Sequence, residues 1–116
     1  MCYSAWVFEL EIVEYVSPSG VSPFGRWRES LDTTARLRVL KAVTRLAAGN
    51  VSSVKGVTGG IFEIRLDFGP GYRIYFGKDG ERLVILLAGG TKRRQQADIE
   101  AAQSNWRLYK RDKGAT

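Results

Sequence analysis

The pattern of apolar and polar residues predicts a small sheet in the second half of the chain. Residues 61–66 (IFEIRL) and 72–76 (YRIYF) alternate with period two, which is typical of strands with one buried face. The link 67–71 (DFGPG) contains two glycines and a proline, so we expect a hairpin turn there. Residues 83–88 (LVILLA) are apolar throughout, which indicates a central strand covered on both faces. The glycine pair at 89–90 is expected to end it.

Helical spacing predicts three helices around this sheet. The first spans residues 24–31 and buries Phe24, Trp27 and Leu31. The second begins at an N-cap, Asp32 or Thr33, and ends at residues 49–50 (GN). Its apolar stripe is expected to contain Val39, Leu40, Val43, Leu46 and Ala47. The third helix spans residues 92–109.

These elements define the predicted fold. Residues 6–13 (WVFELEIV) are rich in Trp, Val, Phe and Ile and predict a first strand, followed by a loop at 17–23 with two prolines. The order is then β-α-α-β-β-β-α, an α+β domain whose antiparallel-rich sheet carries two helices on one face and a C-terminal helix. We expect one domain over residues 1–116, with residues 1–23 as the first strand and loop and residues 104–116 as a basic extension.

Composition and charge fit a single globular domain with a polyanionic partner. The 116 residues are 44% hydrophobic and 26% charged, close to the globular average. Lys and Arg number 18 against 12 Asp and Glu, a net charge of +6. Residues 1–23 contain three glutamates and no Lys or Arg, so the positive charge is concentrated in the rest of the chain. This balance favours a nucleic-acid partner.

Several classes of chemistry are excluded by the residues that are missing. The chain has no histidine, which excludes a Ser-His-Asp triad, histidine acid–base catalysis and an ordinary zinc site. Its single cysteine, Cys2, excludes an internal disulfide and a CxxC pair. No apolar stretch approaches the ~18 residues of a membrane span, and the N-terminus lacks the features of a signal peptide. We therefore expect a cytoplasmic chain with no cofactor, no metal and no membrane partner.

Two arginines are the first candidates for chemistry. If residues 61–66 and 72–76 pair about the predicted turn, Arg65 and Arg73 lie opposite each other, and like charges in that position are destabilising. Either Glu63 and Asp67 neutralise them, or the pair forms an anion site, because the guanidinium group matches phosphate oxygens. Tyr75 is predicted on the same face, where its ring would stack on an RNA base.

Further basic residues lie in helices and loops. The run Lys92-Arg93-Arg94 opens the predicted third helix, where a helix start favours an anion over a basic run. This conflict indicates function, unless the helix begins later and the run is a loop. The remaining candidates are Lys55, before a glycine-rich stretch, and one face of the second helix with Arg38, Lys41 and Arg45. A solvated polar face is the simplest interpretation of that last set.

Two segments resemble a known family. They are residues 49–76 (GNVSSVKGVTGGIFEIRLDFGPGYRIYF) and 86–102 (LLAGGTKRRQQADIEAA). The second matches a GGxKxxQxxDI pattern through Lys92, Gln95, Asp98 and Ile99. The chain resembles the RelE/ParE superfamily of toxins, and within it the HigB-like, phage Gp49-like addiction module killer proteins. The resemblance covers residues 24–103.

The resemblance implies the toxin of a type II toxin–antitoxin module. Many such toxins are endoribonucleases that cleave mRNA on the ribosome and stop translation. Their sheet carries two N-terminal helices on one face and a concave, basic opposite face. The partner would be a cognate antitoxin, here a helix-turn-helix protein, in a toxin–antitoxin hetero-oligomer. The ParE branch instead inhibits DNA gyrase on the same fold, and a non-catalytic nucleic-acid-binding module is a third alternative.

The resemblance also implies roles for individual residues. Arg73 occupies the position of a phosphate-stabilising arginine, and Arg65 and Lys92 stand near two further basic positions. Glu63 and Asp98 depart from the family pattern, which has a basic residue and a Tyr or His there. The expected mechanism is attack of the 2′-hydroxyl on the adjacent phosphate, with Glu63, Asp98 or a lysine of lowered pKa as the base. The expected RNA contacts are Lys55, Tyr75, Arg93, Arg94, Gln95, Arg38, Lys41 and Arg45.

Overall fold

The structure, a computed structural model, describes residues 9–114, and within them the chain forms five strands and three α-helices. In chain order their bounds are β1 Glu11–Glu14, α1 Pro23–Glu29, α2 Thr33–Ala47, β2 Val54–Gly56, β3 Phe62–Leu66, β4 Tyr72–Asp79, β5 Leu83–Thr91 and α3 Gln95–Gly114. Short 3₁₀ turns at Thr58–Gly60 and Lys92–Arg94 precede β3 and α3. The fold class is α+β, as predicted.

The strands form one sheet in the order β1-β5-β4-β3-β2. All neighbours are antiparallel except β1, which runs parallel to β5. The predicted hairpin joins β3 to β4, and Gly69 and Gly71 adopt positive φ angles of 56° and 78° that glycine reaches without strain. The register of this hairpin places Arg65 directly opposite Arg73, which confirms the predicted pairing.

Helices cover both faces of the sheet. On one face α1 and α2 enclose an apolar core that contains Phe24, Val39, Ile64 and Phe76. On the other face α3 packs through Ile99, Ala102 and Trp106 against side chains of β4 and β5. Strand β5 is therefore buried on both sides, as its apolar sequence predicts. None of the helices in residues 9–114 is long and apolar enough to cross a membrane.

Helix α2 follows its predicted bounds but not its predicted stripe. Asp32 is the N-cap, and its carboxylate accepts a hydrogen bond of 2.8 Å from the Ala35 amide. The prediction that Leu40 is buried is wrong, because 57% of its surface is exposed. The helix instead buries Ala35, Val39 and Leu46, and Leu40 points away because adjacent helical residues differ by about 100°.

The strands differ from the prediction in three respects. The first strand is Glu11–Glu14 where 6–13 was predicted, and residues 6–8 lie outside the described residues. Strand β2 was not predicted at all. The glycine pair was expected to end the last strand, but β5 continues through Gly89 and Gly90 to Thr91. A Cβ on Gly89 would overlap the ring of Trp27, and one on Gly90 would overlap the carboxylate of Asp98.

The C-terminal helix begins later and ends later than predicted. Lys92–Arg94 forms a 3₁₀ turn, and α3 starts at Gln95. Residues 104–114, expected as an extension, continue the same helix. Its last turns are tied to the sheet because the Tyr109 hydroxyl donates a hydrogen bond of 2.6 Å to Asp79 at the end of β4.

Candidate anion-binding site

A cleft of about 450 Å³ lies beside the β2–β3 edge of the sheet, and we call it the basic cleft. It is lined by four cationic side chains and one carboxylate, with the Gln95 amide and the Ser52–Val54 segment completing its wall. The cations are Lys55, Arg65, Arg73 and Lys92, and the carboxylate is Asp67. Residues from four separate parts of the chain therefore create a strongly positive concavity, which suits an anion.

Local structure explains how these cations come together. Strands β3 and β4 pair Arg65 with Arg73, and β2 aligns Lys55 with Glu63. Lys92 reaches the same place because its backbone amide donates a hydrogen bond of 2.7 Å to the Gly71 carbonyl oxygen. A Cβ on Gly71 would lie only 3.3 Å from the Cβ of Lys92, so the absence of a side chain at this turn permits the approach.

Glu63 offsets the repulsion between the paired arginines. Its carboxylate is fully buried, and its Oε1 lies 3.2 Å from Arg65 Nε and 3.6 Å from Arg73 Nε. The Gln95 side-chain amide lies 3.2 Å from both carboxylate oxygens. Glu63 therefore compensates one of the two positive charges, so the predicted neutralisation of the pair is met only in part. Asp67 lines the cleft, but within residues 9–114 it forms no ion pair with either arginine.

This burial changes the role expected for Glu63. A proton acceptor must reach its substrate, whereas the Glu63 carboxylate has no exposed surface and is held by two arginines and Gln95. The structure does not support Glu63 as the catalytic base. It supports Glu63 as the anion that fixes the Arg73 side chain, of which 6% is exposed, at the floor of the cleft.

Tyr75 also requires a correction. Its ring is fully buried in the core beneath α3, so the structure does not support stacking on an RNA base. The period-two pattern places Tyr75 on the same face as Arg65 correctly, but α3 covers that face at β4. The open, basic part of the face is therefore limited to the β2–β3 edge, the turn after β3 and the 3₁₀ turn before α3.

Three buried polar atoms near the cleft have no hydrogen-bond partner among the described residues. They are Arg73 Nε, the Tyr75 hydroxyl and Asp98 Oδ2. Tyr75 pairs across the strands with Glu63, and Asp98 packs on Gly90, which pairs with Arg73. Unsatisfied buried groups are costly and uncommon.

Burial raises the pKa of two of these groups, Asp98 and Tyr75. Desolvation raises the pKa of Asp98, and the Arg94 guanidinium, 4.0 Å away, lowers that pKa by a smaller amount. Burial likewise raises the pKa of Tyr75, and the nearby carboxylates of Glu63 and Asp98 raise it further. Asp98 thus has a carboxyl group that holds a proton more readily than an ordinary aspartate, although it does not line the cleft.

The other predicted site residues lie outside the basic cleft. Arg93 and Arg94 are exposed on the 3₁₀ turn. The helical set Arg38, Lys41 and Arg45 borders a second cavity of about 670 Å³, between α2 and β3. Sequence reasoning missed this cavity, and it also missed Ser52 and Ser53, which line both cavities. No feature of the serine-containing loop indicated its position.

Comparisons with known proteins show the family of the chain. Residues 26–110 match the family model described as Phage derived protein Gp49-like (DUF891). The chain is also 41% identical over 81 residues to an uncharacterized protein of Haemophilus influenzae, an alignment that covers 69% of this chain and 82% of that protein. The chain belongs to the Gp49-like family, a family of RelE-like addiction module killer toxins.

Proposed function

We propose that this protein is the toxin of a type II toxin–antitoxin module and acts as a ribosome-dependent endoribonuclease. The observation that supports this most is the basic cleft, where Lys55, Arg65, Arg73 and Lys92 surround a space of about 450 Å³. A phosphodiester is the anion that this arrangement suits, because guanidinium groups bind phosphate oxygens in a bidentate manner. The antitoxin partner that the family implies would keep the toxin inactive.

In the proposed reaction the cleft stabilises charge on a pentacoordinate phosphorus. The RNA 2′-hydroxyl oxygen attacks the adjacent phosphorus, and the bond to the 5′-oxygen breaks. The products are a 2′,3′-cyclic phosphate and a 5′-hydroxyl. Arg65, with 40% of its side chain exposed, contacts the phosphate directly, and Arg73 supports it from below. Cations placed in advance around developing charge are a large source of rate acceleration.

Two protons move in this reaction. The 2′-hydroxyl loses one, and we assign its acceptor as Asp67, the exposed carboxylate that lines the cleft. The leaving 5′-oxygen gains the other from the ammonium group of Lys92 at the rim of the cleft. Positioning of the RNA by the ribosome would supply the alignment that a small cleft lacks.

A reconstituted translation reaction tests this function. Purified protein is added, and primer extension on the mRNA detects cleavage with and without ribosomes. We expect cleavage only with ribosomes and a loss of about 10²-fold in Arg65→Ala or Lys92→Ala. The matched control is Arg107→Ala, which removes an exposed arginine of α3 outside both cavities and should cleave normally.

The same assay, run beside a gyrase supercoiling test and an RNA-binding test, identifies the alternatives. Full activity in both Arg65→Ala and Arg73→Lys would contradict a phosphate-binding role for the cleft. Lysine is used at position 73 because alanine would leave the buried Glu63 with only Arg65 of its two arginine partners and would destabilise the fold for that reason alone. Inhibition of gyrase supercoiling without mRNA cleavage would assign a ParE-type activity. Salt-dependent RNA binding with neither activity would leave a binding module.

A further inference from the structure

The turn that joins β3 to β4 connects several parts of the basic cleft. Asp67, its first residue, lines the cleft. The carbonyl oxygen of Gly71 accepts a hydrogen bond of 2.7 Å from the Lys92 amide. The carbonyl oxygen of Tyr72, the next residue, accepts one of 3.1 Å from Arg73 Nη1. The proposed base, the proposed acid and the buried arginine therefore all depend on the position of this turn.

Phe68 is the residue through which the backbone of this turn is held. Its amide donates a hydrogen bond of 2.9 Å to the Leu66 carbonyl oxygen, and its own carbonyl oxygen accepts one of 3.0 Å from the Gly71 amide. The glycines that follow it, Gly69 and Gly71, leave an unsupported turn many accessible conformations. The placement of Phe68 therefore decides where the rest of the turn lies.

Aromatic side chains connect this turn to the helices and to strand β5. The ring centroid of Phe68 lies 5.9 Å from that of Tyr72, which lies 6.1 Å from that of Trp27 in α1. The Trp27 ring packs against Gly89 of β5, where a Cβ would overlap it. The guanidinium carbon of Arg38, in α2, lies 4.3 Å from the Phe68 centroid. Side-chain contacts with two helices and the central strand thus hold the turn in place.

Arg38 is engaged by this ring and not by a carboxylate. Among residues 9–114 no Asp or Glu lies within ion-pair distance of it. A cation within about 6 Å of a ring centroid is attracted to the π electrons, and the planar guanidinium group also stacks well on the ring. Arg38 was expected as an RNA contact, but its charged group covers a face of Phe68 within the protein itself.

We propose that Arg38 and Phe68 are positioning residues of the basic cleft. Their cation–π contact fixes the β3–β4 turn, and the turn fixes Lys92 and Arg73 through two backbone carbonyl oxygens. Neither positioning residue lines the cleft, so each acts on a bound phosphate only through the turn. The effect on cleavage rests on the proposed function, whereas the effect on the turn does not.

Hydrogen exchange of single amides, followed by NMR, tests the position of the turn without any substrate. Loss of the contact in Arg38→Gln or Phe68→Leu should accelerate exchange of the Lys92 amide about two- to fivefold, the equilibrium equivalent of an exposed cation–π contact. The Tyr15 amide, which donates a hydrogen bond to β5 far from the turn, should not change. The matched control is Lys41→Gln, an equal loss of charge from the exposed face of α2, which should leave both amides unchanged.

Cleavage of mRNA provides a second readout, with variants that leave the charge of the protein unchanged. Phe68→Leu should lower kcat about tenfold and leave KM nearly unchanged, since misplacement of a reacting group by about 1 Å can reduce a rate by about 10²-fold. Phe68→Tyr retains the ring, so both kcat and the exchange rate of the Lys92 amide should be those of the unsubstituted protein. The combined Arg38→Gln and Phe68→Leu variant should exchange no faster than either single variant, because both remove the same contact.

Three results would overturn the proposal. The first is an unchanged exchange rate of the Lys92 amide in both single variants. The second is equal acceleration at Lys92 and Tyr15, which would indicate a general loss of stability. The third is a normal kcat in Phe68→Leu despite faster exchange at Lys92. If the exchange rates change as expected but even the unsubstituted protein cleaves no RNA, the proposed function fails and the role of the contact in holding the turn stands.

Discussion

Glu63 is the residue on which the charge balance of the cleft depends. We predict that Glu63→Gln lowers the free energy of unfolding by about 3–5 kcal/mol, the usual effect of breaking a buried ion pair. The amide retains the shape but leaves the buried Arg73 charge without its anion. Urea denaturation followed by circular dichroism measures the change, with Glu81→Gln, an exposed glutamate, as the matched control.

A double variant separates the ion pair from simple packing. Glu63→Gln combined with Arg73→Met removes both charges, so it should recover much of the stability lost in the single variant. The recovered fold should nonetheless fail to cleave RNA, because the floor of the cleft has lost its cation. A Glu63→Gln protein as stable as the unsubstituted chain would contradict the positioning role given to this residue.

Asp98 links stability to pH in the opposite direction from a paired carboxylate. Burial raises its pKa in the folded state, so the folded protein binds this proton more tightly than the unfolded chain. Stability therefore falls as the pH rises from the unfolded to the folded pKa of Asp98, and the penalty remains at neutral pH. We predict that Asp98→Asn raises the melting temperature at neutral pH.

The size of that effect should depend on pH. The stability gained in Asp98→Asn should shrink in mildly acidic buffer, where the wild-type carboxyl group is itself protonated. Thermal denaturation of both proteins across this range measures it, with the exposed Asp112→Asn on the same helix as the control. A difference that does not vary with pH would show that the carboxylate charge is not its cause.

Among the elements, strand β5 needs a glycine at position 89 because a neighbouring side chain packs closely against it. Gly89 lies against the ring of Trp27, so an added methyl group must displace that side chain. We predict that Gly89→Ala lowers the free energy of unfolding by about 1–3 kcal/mol, the typical cost of overpacking. Gly56→Ala in β2 is the matched control, because a Cβ there meets nothing within 4 Å. Equal stability of the two variants, measured in urea, would contradict the packing explanation.

The elements also show which features a sequence can predict. The β3–β4 hairpin depends on local information, namely period-two alternation and a glycine-rich turn, and these were enough to place Arg65 opposite Arg73. The burial of Tyr75 depends on α3, which begins twenty residues later and covers the sheet from a distance. Lys92 joins the cleft through its amide contact with Gly71, which no local pattern indicates. Residues placed by distant packing are therefore the ones that sequence analysis assigns least well.

At the scale of the whole molecule, much of the positive charge lines two adjoining cavities. The basic cleft and the second cavity, between α2 and β3, together contain seven different cations, and Arg65 lines both. The net charge of +6 explains attraction to a polyanion in general, whereas this arrangement concentrates that attraction in and beside the basic cleft.

The salt dependence of RNA binding tests whether the cleft or the overall charge is responsible for affinity. Each phosphate contact on a single strand contributes about −0.7 to the slope of log K against log salt concentration. We predict that Lys92→Ala and Lys55→Ala each reduce the magnitude of that slope by about one contact, while Arg107→Ala, an equal loss of charge outside both cavities, leaves it unchanged. Anisotropy of a labelled 2′-O-methyl oligonucleotide, which has no free hydroxyl for cleavage, gives the slopes. Equal reductions in all three variants would mean that RNA is attracted by the general charge of the surface, and that the cleft has no special part in binding it.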